Sequence, residues 1–136
     1  MGNTVMTLLL MGLAGAIGAL ARYGVTLGLT RVFSFTTLPV GTFFINITGA
    51  FLLGYLATLV RQRMWLSDTW LLVLGTGFLG AYTTFSTYML ESDKMLQNGE
   101  WLRASAYLAG SVFLGLIAVR LGVLVAGGAA VAATRP

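Results

Sequence analysis

The sequence contains no cysteine and no histidine. Their absence excludes disulfides, metal sites built from these residues, cysteine nucleophiles and serine–histidine pairs. Carboxylates are also scarce, because Asp and Glu together number 4 in 136 residues. We see no nucleotide-binding loop and no plausible catalytic set, so we predict that the chain is not an enzyme.

Charge of either sign is rare. Charged residues make up 9% of the chain and hydrophobic residues 57%, whereas a soluble domain carries about 25% charged residues. Such a chain cannot cover its own surface with polar groups, so the composition indicates an integral membrane protein. The 8 basic residues are scattered, which gives no sign of a nucleic acid partner. The opening MGNTVM has no basic region, and we expect no cleavable signal peptide.

Four stretches are long and apolar enough for spanning helices, which need about 20 mostly apolar residues. We predict an all-α membrane protein with one domain, residues 1–136, and helices at about 4–32, 39–61, 68–97 and 100–126. Pro39 suits the first turn of the second helix. Asn98-Gly99 is typical of a turn, and we expect the tail from Ala126 to fray. Four spans place both termini on one side of the membrane.

The basic residues that set orientation are nearly balanced across the membrane. The side of the termini has four and the opposite side three, or four if Arg22 reaches it. The first group is Arg61, Arg63, Arg120 and Arg135, and the second is Arg31, Lys94 and Arg103. We therefore hypothesise that the chain inserts in both orientations and forms an antiparallel homodimer, since two-fold dimers are the commonest closed assembly.

The stretch from Gly75 to Tyr88 reads GTGFLGAYTTFSTY and dominates the third predicted helix. Its three glycines weaken a helix by roughly 1 kcal/mol each relative to alanine. The hydroxyl residues that follow them include Thr83, Thr84, Ser86, Thr87 and Tyr88. Every backbone group inside a membrane needs a partner within the protein. The segment is therefore either a tightly packed helix or a helix broken near Gly80 to Thr83 that lines a polar site.

The polar groups of the other spans allow more than one reading. Asn46, near the middle of the second helix, either bonds a neighbouring helix or lines a pore. Arg22 is either an interfacial anchor or a structural residue inside an assembly. The four carboxylates fall near the predicted helix ends. What remains is neutral: hydroxyls, an amide and aromatic ring edges can bind a small anion, although membrane Ser and Thr usually bond a carbonyl one turn earlier.

Three motifs, separated along the sequence, resemble those of a known protein family. They are GAIGALARY at 15–23, PVGTFFINITGAFLLG at 39–54 and GFLGAYTTFSTY at 77–88. Together they resemble the Fluc, or CrcB, family of bacterial fluoride channels, most closely its Bordetella-type members. The resemblance implies a dual-topology antiparallel homodimer with two pores. It also implies passive, electrogenic and selective fluoride export across the bacterial cytoplasmic (inner) membrane, which gives fluoride resistance. The implied partners are the fluoride ion, a sodium ion (Na+) on the dimer axis, a second copy of the chain and the lipid bilayer.

The resemblance also implies residue roles. Its fluoride pathway comprises Thr42, Asn46, Phe85, Ser86, Thr87, Tyr88, Glu91, Tyr107 and Ser111. Arg22 matches an arginine near the pore entrance, and the carbonyls of Gly80 and Thr83 match those that bind the central sodium ion. The family usually has phenylalanine where this chain has Tyr88. The additional hydroxyl would either donate a hydrogen bond to the anion or block its path.

Two other functions fit part of the sequence. A small proton-coupled multidrug exporter has a similar size, helix count and charge balance, but such an exporter usually needs an acid inside the membrane. A membrane assembly protein that transports nothing would need only the small-residue helix faces.

Overall fold

The computed structural model describes residues 2–62 and 67–133, with side chains for 4–62 and 67–128. The regular secondary structure of this part of the chain is all helical, without a strand. The elements in order are α1 (Gly2–Val32), α2 (Val40–Arg61), α3 (Asp68–Leu71), a π-helical segment (Leu72–Leu79), α4 (Gly80–Tyr82), α5 (Phe85–Gln97) and α6 (Trp101–Ala133). Arg63 and Arg135, which entered the charge comparison, lie outside the described residues.

Three of the helices are long and apolar enough to cross a membrane, and their spans are Thr4–Val32, Val40–Arg61 and Trp101–Gly128. The shortest has 22 residues, which is about 33 Å of helix against a hydrocarbon thickness of about 30 Å. The prediction of an all-helical membrane protein is confirmed. The expected fraying from Ala126 is wrong, because α6 continues to Ala133. This tail is rich in alanine, the residue with the highest helix propensity.

The third predicted helix, 68–97, is interrupted. Residues Asp68–Tyr82 form one helical run through α3, the π-helical segment and α4. Thr83 and Thr84 then take extended conformations, with φ/ψ of −81°/159° and −148°/115°. Gly80 itself is helical, at −61°/−34°. The predicted break is therefore present, and the two threonines form it rather than the glycine.

The glycines before the break accommodate a wider helix instead. The Gly80 N–H reaches back five residues to the Gly75 carbonyl, the spacing that defines a π-helix. On the other side, Gly18 of α1 lies so close to the Phe78 carbonyl that a Cβ at Gly18 would overlap it. Glycine here permits close helix contact, as small residues do in membrane proteins.

Helices α2 and α6 also pack with their backbones in close contact. A Cβ at Gly54 would overlap the Val119 carbonyl, and one at Gly122 would overlap the Phe51 carbonyl. Each helix thus presents a glycine to the backbone of the other. This reciprocal contact fixes α2 beside α6 and so determines which side chains of the two helices face the interrupted helix.

Two buried clusters position the interrupted helix. Ile45, Leu79 and Tyr82 form the first, with Ala21 and Val25 of α1 packed against it. It joins α1 and α2 to the part of the interrupted helix before the break.

The second cluster joins α5 to α6 and consists of Tyr88, Met95, Ala104 and Tyr107. Between these helices Gly99 has φ +77°, a conformation that glycine adopts without steric penalty. The predicted turn at Asn98-Gly99 is confirmed.

Candidate functional site

Asn46 connects α2 to the break. Its side-chain Nδ2 donates to the Thr84 carbonyl at 3.1 Å, and the Thr84 N–H donates to its Oδ1 at 2.8 Å. The amide thus bonds both backbone groups of one residue, as a neighbouring peptide would. The first of the two readings of Asn46 is thus observed, with a non-helical backbone as the bonded partner, and the pore-lining reading stays a prediction.

The break diverts two backbone donors from their usual acceptors. In an unbroken α-helix the N–H groups of Thr84 and Thr87 would bond the carbonyls four residues earlier, those of Gly80 and Thr83. Here the Thr84 N–H bonds Asn46 instead, and the Thr87 N–H bonds the Thr84 hydroxyl at 3.3 Å, in an N-cap. The carbonyls of Gly80 and Thr83 therefore lose their ordinary helical donors.

A cavity of about 460 Å³ opens beside the break. Asn46, Gly80 and Thr83 line it together with Phe85, Tyr88 and Ser111. The structure thus brings together six residues from two predicted sites, the anion pathway and the cation site. None of the residues lining this cavity carries a charge.

Ser111 contributes the one buried side-chain oxygen or nitrogen, among the described residues, that lacks a hydrogen-bond partner. An unsatisfied buried polar group costs about 1–3 kcal/mol, so each one in a native structure calls for an explanation. Ser111 lines the same cavity as the Phe85 and Tyr88 rings, and a small polar species bound there is one candidate partner for its hydroxyl.

The Tyr88 hydroxyl is engaged elsewhere. It donates to the Leu108 carbonyl of α6 at 2.7 Å. The Tyr88 ring meets Tyr107 edge-on with centroids 5.1 Å apart, and Phe85 in a tilted arrangement at 6.0 Å. The hydroxyl's one proton is thus directed at the backbone of α6, and not at a species in the cavity.

Glu91 of α5 forms a second polar cluster, the Glu91 group, with Thr42 near the start of α2 and Tyr107 of α6. Its carboxylate accepts from the Thr42 hydroxyl at 2.7 Å and from the Tyr107 hydroxyl at 2.9 Å. Thr42 and Tyr107 are buried, and Glu91 is half-buried. The sequence predicts that Glu91 and Asp93 lie near water at the end of the third helix; Asp93 is exposed, but Glu91 is more enclosed than expected. The Tyr88–Tyr107 ring contact connects this group to the cavity.

Three predicted residues stand apart from these contacts. Ser86 and Thr87 are exposed on the single chain and do not line the cavity. Thr87 still takes part in the cap, because its hydroxyl accepts from Thr84 at 2.9 Å. Arg22 is half-exposed, and the described part of the chain offers it no hydrogen bond or ion pair.

Sequence reasoning missed two features of the site. It did not single out Thr84, although threonine is a favoured N-cap residue and the run TTFST could have indicated a new helix start after Thr83. It also missed the contact of Thr48 with Tyr82, whose hydroxyl oxygens are 3.0 Å apart. Nothing in the sequence pairs these two residues.

Comparison with known proteins gives the family. Residues 9–123 match the family described as CrcB-like protein, Camphor Resistance (CrcB). A protein of Acidobacterium capsulatum named fluoride-specific ion channel FluC is 45% identical over 120 residues, which are 88% of this chain and 95% of that protein. One of Chloroflexus aurantiacus with the same name is 47% identical over 116 residues, 85% of this chain and 91% of the relative.

A third relative, fluoride-specific ion channel FluC 2 of Moorella thermoacetica, is 47% identical over 123 residues, 90% of this chain and 98% of its own length. These relatives are named as ion channels, which agrees with the prediction that the chain is not an enzyme. The Bordetella-type subgroup stays a prediction. The family match covers most of the chain, including the break and every residue of the site, and the chain belongs to the CrcB-like family.

Proposed function

We propose that this protein is a fluoride-selective ion channel. The observation that carries the proposal is the unpartnered Ser111 hydroxyl in an uncharged cavity. Ser111 lines the same cavity as the rings of Phe85 and Tyr88. Aromatic ring edges carry partial positive charge, so ring edges and a hydroxyl donor together favour a small anion. Relatives that are 45–47% identical are named fluoride-specific channels, which supports fluoride as that anion.

The proposed pathway runs from the cavity to the Glu91 group. An anion that leaves Ser111 passes the Tyr88 and Tyr107 rings and reaches the hydroxyls of Thr42 and Tyr107. Both of these hydroxyls now bond Glu91, so an anion must compete with the carboxylate for them. Ser86, Thr87, Asn46 and Arg22 belong to the proposal through the family resemblance, with Arg22 near the pore entrance.

We propose a sodium ion at the break, where it would act as a structural ion. The diverted donors described above leave the carbonyls of Gly80 and Thr83 available. Unwound backbone carbonyls coordinate Na+ in other membrane transport proteins, and hard oxygen ligands suit hard cations. The residues present therefore fit the ion, and two carbonyls from each of two subunits would hold it.

The proposed assembly is an antiparallel homodimer with two pores. Gly80 is exposed in the single chain, as are Phe85, Ser86 and Thr87. Irregular backbone at membrane depth is tolerated only where protein or a water-filled cavity covers it. A second copy placed over the break would supply that cover. The near balance of basic residues across the membrane supports insertion in both orientations.

Passive export follows from the membrane potential. An inside-negative potential of 100 mV is worth about 2.3 kcal/mol per charge. At about 1.4 kcal/mol for each factor of ten, it supports a roughly fifty-fold lower anion concentration inside. A selective channel in the bacterial cytoplasmic membrane would thus give fluoride resistance without a pump.

Fluoride efflux from liposomes, measured with an electrode, tests the proposal. Potassium-loaded liposomes should release fluoride only when valinomycin removes the opposing voltage, and chloride should stay inside. Phe85→Ile should slow efflux, whereas Phe113→Ile, at an exposed phenylalanine that does not line the cavity, should not. Efflux of chloride at the same rate, or none of either ion, would contradict the proposal. Proton-dependent release of a cation would favour the exporter, with Glu91 as its acid.

A further inference from the structure

We propose that Thr48 and Tyr82 are positioning residues that set the sodium affinity of the break without contacting the ion. The inference rests on the sodium site in the proposed function. Its basis is the hydrogen bond between their hydroxyl oxygens, at 3.0 Å. Neither residue lines the cavity beside the break, so both would act through the backbone.

The direction of this hydrogen bond follows from the other contacts of Thr48. Its hydroxyl donates to the Phe44 carbonyl at 2.8 Å, with the Ile45 carbonyl at 3.3 Å. A threonine hydroxyl has one proton and two acceptor lone pairs. With its proton directed at α2, Thr48 is the acceptor and Tyr82 the donor. Replacing Tyr82 with phenylalanine would therefore remove the donor and leave the Thr48–Phe44 bond intact.

Tyr82 transmits this contact to the break because it is the last residue of α4. Its ring is buried and stacks on Phe78, with centroids 5.9 Å apart and planes 7° apart. The interrupted helix thus holds the Tyr82 ring, and α2 holds its hydroxyl. The next residue, Thr83, carries one of the two proposed sodium ligands.

Helix α2 consequently fixes Thr83 from both sides. Thr48 holds the residue before it, and Asn46 holds the residue after it through the paired bonds to Thr84. Gly49, the residue after Thr48, is so close to the Thr83 methyl group that a Cβ there would overlap it. With Tyr82 and Thr84 both anchored, the peptide groups on either side of Thr83 have little freedom to rotate, and its carbonyl keeps one direction.

Loss of one anchor should let that carbonyl rotate and weaken ion binding. A hydrogen bond contributes about 1 kcal/mol, and 1 kcal/mol corresponds to a factor of about five. We therefore expect Tyr82→Phe to raise the apparent sodium Kd about five-fold. Thr48→Val should do the same, and Thr48→Ser, which keeps the hydroxyl, should stay within two-fold of the wild type.

The measurement is thermal unfolding of the purified full-length protein as sodium is titrated at constant ionic strength, with N-methylglucamine as the replacement cation. The readout is the apparent sodium Kd, fitted from the rise in Tm through RT ln(1 + [Na+]/Kd), and not the Tm itself, because a merely structural role would lower Tm at every sodium concentration and leave the Kd unchanged. Tyr55→Phe is the matched control, since Tyr55 stacks on Phe51 within α2 and lies outside this contact.

An unchanged sodium Kd in both Tyr82→Phe and Thr48→Val would overturn the proposal, and so would an equal shift in Tyr55→Phe. Absence of any sodium effect on the wild type would overturn it together with the sodium site. Fluoride efflux from liposomes is a separate measurement, so it tests the channel function independently of the positioning role of Thr48 and Tyr82.

Discussion

Replacing Asn46 with aspartate removes the side-chain donor from the pair of hydrogen bonds that hold Thr84. The Thr84 N–H keeps its acceptor, because a carboxylate oxygen takes the place of Oδ1. An oxygen replaces the Nδ2 donor and faces the Thr84 carbonyl oxygen. In the native protein this carbonyl oxygen lies 3.1 Å from Nδ2. Two acceptors then oppose each other next to the break, and the carbonyl loses its partner.

The expected loss of stability is the cost of leaving the buried Thr84 carbonyl without its partner, about 1–3 kcal/mol. At about 3 to 4 °C per kcal/mol for a domain of this size, Tm should fall by roughly 3 to 12 °C. Acidic buffer should restore part of this loss, since a protonated carboxyl has an O–H that can donate to Thr84.

Thermal unfolding at neutral pH and at about pH 5 measures both effects, and fluoride efflux should fall together with stability. Asn98→Asp is the matched control, because this asparagine is exposed in the turn before α6 and should change Tm by less than about 2 °C. A neutral-pH Tm for Asn46→Asp within 2 °C of the wild type would refute the reasoning. So would a loss of stability that grows on acidification relative to the wild type.

Three further substitutions test other parts of the site and the fold. Tyr88→Phe should lower stability by about 1 kcal/mol but retain fluoride efflux, since the hydroxyl is bonded to the backbone of α6; abolished efflux would mean that the hydroxyl serves the anion. Gly18→Ala should destabilise by about 1–3 kcal/mol through overpacking, whereas Gly12→Ala in the same helix has open space and should be neutral; equal Tm values would contradict the close helix contact. Tyr107→Phe removes one of two hydroxyl donors to Glu91, worth about 1.5–3 kcal/mol for a charged acceptor; denaturant titration that finds no loss would exclude this bond.

Local chemistry made much of the fold predictable. The scarcity of charge required a membrane environment, and runs of about 20 apolar residues located the spanning helices. The glycines indicated close helix contact, which the structure has at Gly18, Gly54 and Gly122. The three motifs indicated the family that the comparison then gave. Each of these inferences depends on residues that are neighbours along the chain, so no knowledge of distant contacts was needed.

The position of the break depended on a distant contact. Local propensity placed a possible break near Gly80 to Thr83 but did not decide between the glycine and the threonines. The paired bonds from Asn46 select Thr84, and the two residues are 38 positions apart in sequence. A helix in a membrane can lose its own backbone bonds only where another group replaces them, so the position of the asparagine on α2 decides where the helix ends.

The roles of individual polar groups were decided in the same way. Sequence alone left the Tyr88 hydroxyl free to reach an anion, and the fold directs it to Leu108. Sequence placed Glu91 near water, and the fold brings Thr42, 49 positions away, within 2.7 Å of it. The sequence by itself determined the membrane class, the helices and the family, because these follow from composition and local spacing. Which donor meets which acceptor was decided only by the packing of α2, α5 and α6 against one another, since a hydrogen bond requires atoms about 3 Å apart and no local pattern specifies that distance.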